Sequence, residues 1–384
     1  MPAARWDIFC NVVDHFGDIG VSWRLARQLQ DEHGLAVSLF VDDLASFHRL
    51  CPHVDPEAPA QAVDDVTIHH WVENMRFERP GDVVIDAFGS RAPAPYLEAM
   101  SKCAPAPVWI NLEYLSAEDW VEDCHRVPSP HPRLPLTRYF FFPGFTPGTG
   151  GLLEERGLAQ RRLAFLGDDT ARAAAWARWG CEPAAPGVTQ ISFFGYGGPS
   201  VRTLLSVWAD GSEPIRLLVP EGRILDDVAV FAGRSALRAG DRAVLGALDI
   251  AVLPFRPQPE YDELLWLADC NFVRGEDSFV RAQWAEHPFV WNIYPQTGGA
   301  HWAKLHAFVN RYGEGLDPDS VTAVREFWRL WNRGETSATV LGTAWRRFWL
   351  LRDDLQAHDA GWAARLRTLG SLSANLVRFA VERL

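Results

Sequence analysis

Residues 271–284, Asn-Phe-Val-Arg-Gly-Glu-Asp-Ser-Phe-Val-Arg-Ala-Gln-Trp, hold the residue types needed to bind a phosphorylated ligand. Asn271-Phe272-Val273 reads as a short buried strand, Gly275 breaks it, and Asp277 or Ser278 can cap a helix running to about Glu286. A strand that ends in a glycine turn at a helix N-terminus turns free amides and the positive end of a helix dipole toward an anion. Arg274 adds fixed positive charge, while Glu276 and Asp277 add acceptors suited to ribose hydroxyls. The spacing alone fits an ordinary acid-capped helix start equally well.

Two further loops share the pattern. Asp14-His-Phe-Gly-Asp-Ile-Gly20 follows the apolar run Trp6–Val13, and its two carboxylates lie four residues apart. One can serve as a general base while the other orients an acceptor, although either can simply cap the helix that follows. Gly195-Tyr-Gly-Gly-Pro-Ser200 follows the strand-like Thr189–Phe194. Its glycines admit a diphosphate close to the backbone, and Tyr196 can stack on a base. Phe255 and Gln258, in Leu253-Pro-Phe-Arg-Pro-Gln258, offer a second aromatic face and an amide. Asp42-Asp43 ends the second strand, where dinucleotide enzymes place a ribose ligand, but capping of a helix over 44–50 suits it better.

Alternating elements position these loops. Strands are expected at 6–13, 35–41, 66–71, 82–88 and 108–112, with helices from Val21 to a stop at Gly34 and near 95–103 and 117–125. The alternation restarts after a Pro/Gly-rich stretch, with strands at 189–194, 215–219, 248–253 and 289–293 and helices from His301 onward. This predicts parallel, doubly wound α/β halves. The expected division is 1–165, a linker over 166–187, a second half over 188–360, and a C-terminal helix over 361–384. Doubly wound sheets bind ligands at strand C-terminal ends, so loops 14–20, 195–200 and 274–278 are expected to converge in one cleft.

A chain of 384 residues exceeds the ~250–300 at which one core usually splits. The net charge of −12 excludes a general nucleic-acid or anionic-membrane binder. Six dispersed cysteines without a CxxC pair read as reduced thiols of a cytoplasmic protein. Neither a secretory leader nor a membrane-spanning run is evident. His69-His70 and Cys124-His125 lack partners at metal-ligand spacing. A GxGxxG loop, a GK[ST] motif and a G-x-S-x-G elbow are all missing, which argues against dinucleotide, P-loop and α/β-hydrolase chemistry.

Four long runs carry a resemblance. They are Asp7-Ile-Phe-Cys-Asn-Val-Val-Asp-His-Phe-Gly-Asp-Ile-Gly-Val-Ser-Trp-Arg-Leu-Ala-Arg27, Asn111-Leu-Glu-Tyr-Leu-Ser-Ala-Glu118, Phe142-Pro-Gly-Phe145 and Arg274-Gly-Glu-Asp-Ser-Phe-Val-Arg-Ala-Gln283. Together they closely resemble the EarP family, the protein-arginine rhamnosyltransferases of bacterial elongation factor P, from about residue 6 to 312. The resemblance implies a GT-B glycosyltransferase fold, two Rossmann-like domains facing a central cleft. It implies inverting, metal-independent transfer of L-rhamnose from dTDP-β-L-rhamnose to an arginine of elongation factor P, supporting translation through consecutive prolines. No cofactor, nucleic acid or membrane partner is implied. By matching position, Asp18 resembles the general base, with Asp14 beside it and Phe16, Gly17, Ile19 and Gly20 around it. Tyr196, Phe255, Gln258, Arg274, Gly275, Glu276, Asp277 and Ser278 resemble the dTDP site. Two other readings compete: a dinucleotide oxidoreductase and a non-catalytic adaptor for a translation factor.

Overall fold

The computed structural model describes residues 4–13, 16–72, 75, 77, 79–334 and 336–384. The chain forms two units, one of residues 1–156 with 365–384, the other of 157–364. The division thus falls ahead of the 166–187 segment expected as a linker, which is mostly helix within the second unit. Residues 365–384, most of the expected C-terminal helix over 361–384, belong to the first unit.

The first unit runs β1 (Arg5–Cys10), α1 (Gly17–His33), β2 (Ala36–Val41), α2 (Leu44–Leu50), β3 (Ala60–Val63), β4 (Val66–His70), β5 (Val83–Ala87), α3 (Ala94–Met100), β6 (Val108–Leu112), α4 (Trp120–Cys124), β7 (Pro128–Pro130) and β8 (Thr137–Phe141). Its eight-stranded sheet has the order β3-β4-β2-β1-β5-β6-β8-β7. The apolar runs at β1, β5 and β6 become central parallel strands, covered on both faces. The expectation of a parallel sheet holds for this centre. The edges differ: β3 and β7 pair antiparallel with β4 and β8. These strands are three or four residues long and bury at most one side chain, so they carry little of the apolar signal that marks a buried strand. Helix α1 ends, as expected, on Gly34 in the left-handed region at φ +64°.

The second unit runs α5 (Leu158–Gly167), α6 (Asp169–Arg178), β9 (Thr189–Phe193), α7 (Pro199–Ala209), β10 (Ile215–Pro220), α8 (Leu225–Phe231), β11 (Arg242–Leu245), β12 (Leu248–Leu253), α9 (Gln258–Leu267), β13 (Cys270–Arg274), α10 (Asp277–Ala285), β14 (Phe289–Asn292), α11 (Ala300–Tyr312), α12 (Pro318–Arg333), α13 (Ala338–Leu350) and α14 (Arg352–Arg367). Its sheet has the order β11-β12-β10-β9-β13-β14, parallel except for the edge strand β11. Aromatic side chains fill the space between this sheet and its helices. Phe272 lies 5.1 Å from both Phe193 and Trp331, and 5.7 Å from Trp208. Many of the chain's 17 Trp and 22 Phe residues thus serve packing.

The last helix, α15 (Leu372–Val381), returns to the first unit. Phe379 meets Tyr139 and Phe141 edge-on at 5.4 and 5.6 Å, and Asn375 donates to the Gly150 carbonyl.

Candidate active site

In each sheet the chain winds outward from a central strand and then crosses back to that strand's other side. In the second unit it passes from β9 to β10 and β12, then returns through α9 to β13 beside β9. The crevice at the C-terminal ends of β9 and β13 is therefore a topological switch point, the usual ligand site of open α/β sheets. Arg274, the last residue of β13, lies there and is only 5% exposed. Its guanidinium sits 4.7 Å from the ring centres of both Phe194 and Tyr196, which follow β9. Its buried Nη1 has no hydrogen-bond partner among the described residues. Burying that nitrogen without an acceptor costs free energy, which the two flanking ring faces offset only in part.

The turn beside it is firmly built. Gly275 takes φ +59°, and its carbonyl accepts the Trp291 indole N–H at 2.9 Å. Trp291 in turn stacks on Phe279 of α10 at 4.0 Å. The expectation that Asp277 or Ser278 caps α10 is corrected: Glu276 occupies the N-cap position, and its side chain makes no capping bond. Ser278 instead turns back to Arg274, accepting its N–H at 3.1 Å and donating to its carbonyl. The hydroxyl thereby fixes the residue that carries the charge. Gln258, the first residue of α9, donates to Asp277 at 3.1 Å, so the loops after β12 and β13 are joined. Phe255 lies half-buried on the β12 loop, its N–H 3.4 Å from Glu221. Tyr196, Phe255, Gln258 and residues 275–278 all follow the C-terminal ends of parallel strands of this sheet (β9, β12 and β13), and Arg274 closes β13.

The first unit has its own switch point, between β1 and β5. The Asn11 N–H donates to Ser90 beyond β5, and Asp42 at the end of β2 accepts from the Asn11 amide and the Val12 N–H, each at 2.9 Å. Asp42 thus braces the loop, while Asp43 caps α2 through the Ser46 N–H, matching the capping expectation for 44–50. Helix α1 begins at Gly17, so Gly17, Asp18, Ile19 and Gly20 form its first turn and do not extend the loop as expected. Asp18 does not cap the helix from outside. It is 3% exposed, within that turn, and accepts the Val13 N–H at 2.9 Å. Phe16 packs under the Arg49 guanidinium at 5.2 Å. Asp14 lies outside the described residues.

The 111–118 stretch starts with the last two residues of β6 and continues beyond its C-terminal end. Asn111 is buried and donates to Glu113, Ser116 bonds Glu118 at 2.9 Å, and Tyr114 packs on Phe88 at 5.2 Å. His125 accepts the Phe142 N–H at 3.0 Å, anchoring the Phe142–Phe145 segment. Burial, and then the adjacent Arg126 charge, lower the His125 imidazole to about 4.

A cavity of about 310 Å³ in the first unit is lined by Asp86, Arg91, Trp109, His131 and Arg138 among others, and by none of the expected site residues. Asp86 there accepts the Ala92 N–H and the Trp109 indole N–H, each at 2.9 Å, and burial raises its carboxyl to about 6. Among the described residues no group of three or more His, Cys, Asp and Glu side chains is placed to hold a metal, and no helix is long and apolar enough to cross a membrane. Phe194, Asp227, Asn292 and Asn332 shape the second-unit site but were not singled out by sequence. Phe194 is legible as the residue between a strand and a glycine loop; the others act from distant segments.

Comparison with known proteins gives a consistent answer. The model of the family described as elongation factor P (EF-P) rhamnosyltransferase EarP matches residues 6–381. The protein-arginine rhamnosyltransferases of Pseudomonas putida KT2440 and Pseudomonas aeruginosa PAO1 are 47% and 44% identical to the chain, each match covering 98% of both proteins. A solved structure described as the basis of EarP-mediated arginine glycosylation of translation elongation factor EF-P is 36% identical, covers 99% of this chain and 100% of its own, and has a TM-score of 0.71. The glycosyltransferase VinC, solved with dTDP, shares the fold alone, at 12% identity and a TM-score of 0.50 over 98% of this chain and 100% of its own. The fold is GT-B, as expected, and the chain belongs to the EarP family of elongation factor P rhamnosyltransferases.

Proposed function

We propose that this protein transfers L-rhamnose from dTDP-β-L-rhamnose to an arginine side chain of elongation factor P, with inversion at the anomeric carbon and without a metal ion. Such an acceptor belongs to the translation machinery, so the reaction would be cytoplasmic and would support passage through consecutive prolines. The observation that carries the reading is Arg274: a buried guanidinium whose Nη1 has no partner among the described residues, at the switch point of the second sheet. A diphosphate oxygen would supply that acceptor. The N-terminus of α10 adds its dipole to charge that grows on the leaving dTDP. Tyr196 and Phe255 offer faces to the thymine, Gln258 an amide, and Glu276 and Asp277 acceptors to the ribose.

The acceptor half rests on Asp18. An arginine guanidinium is protonated at any physiological pH and is a poor nucleophile in that state. The Asp18 carboxylate would accept an N–H of the acceptor and take its proton as nitrogen attacks the anomeric carbon. The C–N bond forms while the bond from that carbon to the diphosphate oxygen breaks, and dTDP leaves with the electron pair. Asp14 would hold the guanidinium in place, with Phe16, Gly17, Ile19 and Gly20 shaping the approach. Two relatives named protein-arginine rhamnosyltransferases support this acceptor class.

The test is direct. Incubation of the purified protein with dTDP-β-L-rhamnose and elongation factor P should add the mass of one deoxyhexose to a single arginine, at a rate EDTA leaves intact. No mass change would favour the adaptor reading; EDTA inhibition would overturn the metal-free mechanism; NAD(P) binding would revive the oxidoreductase.

A further inference from the structure

We infer that Asn332 is a positioning residue for the donor site, acting through Asn292 to fix the glycine loop whose tyrosine clamps Arg274. The inference rests on the donor-site reading above and adds to it a control from a helix distant in sequence.

Asn332 lies near the end of α12, and its carboxamide makes bonds in two directions. Its Oδ1 accepts the Ile293 N–H at 3.0 Å and the Asn292 side-chain amide at 3.3 Å. Its Nδ2 donates to the carbonyls of Trp291 and Trp328, at 2.8 and 2.9 Å. With both ends engaged, the carboxamide can neither flip nor rotate without losing bonds. Asn292, the last residue of β14, is thereby held with its Oδ1 toward the glycine loop, where it accepts the Tyr196 N–H at 2.8 Å.

The loop is shaped around that oxygen. A Cβ at Gly195 would meet Asn292 Oδ1 at 3.1 Å and Ile224 at 2.9 Å. The other end is pinned by Asp227, whose Oδ2 accepts the Gly198 N–H at 2.7 Å and would lie 2.7 Å from a Cβ at Gly197. Tyr196 stands between the two anchors, its ring 4.7 Å from the Arg274 guanidinium and 5.3 Å from Tyr294. The Asn332–Asn292 pair therefore sets where the ring lies, and the ring sets how the guanidinium is aimed.

The experiment compares Asn292→Ala, Asn332→Ala, the double variant and Asn332→Asp, using dTDP calorimetry, steady-state kinetics and melting temperature. Each alanine variant should weaken dTDP binding and raise the donor KM about five- to tenfold, the scale of one neutral hydrogen bond with its knock-on misplacement. The acceptor KM should stay within about twofold, and the double variant should bind no worse than the weaker single, because the two residues form one connection. Asn332→Asp keeps the acceptor facing Asn292 but sets a charge against two carbonyls. It should melt lower than Asn332→Ala yet bind dTDP better, a split that a purely structural role would not produce. Unchanged dTDP affinity in both alanine variants, additive losses, or equal loss of donor and acceptor KM would overturn the inference. Arg274→Met serves as the reference: if it binds dTDP normally, the donor reading itself falls.

Discussion

Replacement of Arg274 by methionine separates a residue that holds a ligand from one that holds the fold. In the free protein the guanidinium gains two cation–π contacts, each worth roughly 0.5–2 kcal/mol. Against this stands the desolvation of a buried charge, effectively several kcal/mol, with Nη1 left without an acceptor. A methionine of similar reach removes both terms and keeps the apolar stem between the rings, so stability should be unchanged or improved. Nucleotide binding should respond in the opposite sense. One or two charge-assisted hydrogen bonds to a diphosphate are worth about 2–4 kcal/mol, which converts to roughly 30- to 1000-fold in Kd. Lysine restores the charge but not the planar fork, and should recover only part of this loss. Calorimetric titration with dTDP, paired with thermal melts of the same preparations, measures both quantities. Affinity within about threefold of the parent would remove Arg274 from the diphosphate site, and a melting temperature lowered by many degrees would make it a structural cation.

Three further outcomes follow from the first unit. Asp18→Asn should bind dTDP normally and lose about 10²–10⁴-fold in turnover, and near-normal single-turnover rates would move the base elsewhere. Burial, and then the Arg126 charge, keep the His125 imidazole neutral in the fold, so its stabilising contribution is fully present above about pH 6.5 and is lost as pH falls toward 4. Allowing for its partial exposure, this amounts to roughly 1–2 kcal/mol, and His125→Gln, which keeps an acceptor, should flatten that part of the melting profile. Asp86 acts in the reverse direction, since a carboxyl raised to about 6 favours the fold when protonated and loses up to about 3 kcal/mol of stability as pH rises from about 4 to above 6. Asp86→Asn cannot satisfy both the Ala92 and Trp109 donors and should cost ~1–3 kcal/mol at acid pH. The deficit should shrink or reverse by neutral pH, and a parallel offset at every pH in urea melts would refute the assignment.

Central strands were readable because burial on both faces demands continuous apolar runs: Ile8-Phe9, Val83-Val84-Ile85 and Phe272-Val273 need no knowledge of neighbours. The antiparallel edges were not, since Ala60–Val63 is only four residues with one buried side chain, Val63, and Pro128–Pro130 is three with none, so both are defined by the strand beside them. The same logic explains the division of the chain. Composition marks 181–187 as irregular, yet Arg162 and Glu286 form a largely buried ion pair at 2.8 Å, within the unit that already begins at 157. The C-terminal helix reads as helix from its own periodicity, while its docking on Tyr139 and Phe141 is a tertiary fact.

Site residues divide in the same way. Arg274, Tyr196 and Gln258 stand next to glycine or proline at strand ends, so local pattern exposes them. The residues that aim them do not. Asn292 ends an apolar strand and Asn332 lies in the last turn of an amphipathic helix forty positions later, and each alone looks like an ordinary polar residue near an element's end. Their meaning lies in a pairing that only the fold creates. A fixed organic cation can grip a leaving diphosphate only if it is aimed before the ligand arrives, because its rotation during the reaction would have to be driven by binding energy. The two aromatic rings flank that guanidinium, the Ser278 hydroxyl holds the backbone that carries it, and the carboxamide pair places Tyr196, so substitutions at any of them should alter donor affinity and turnover before they alter the fold.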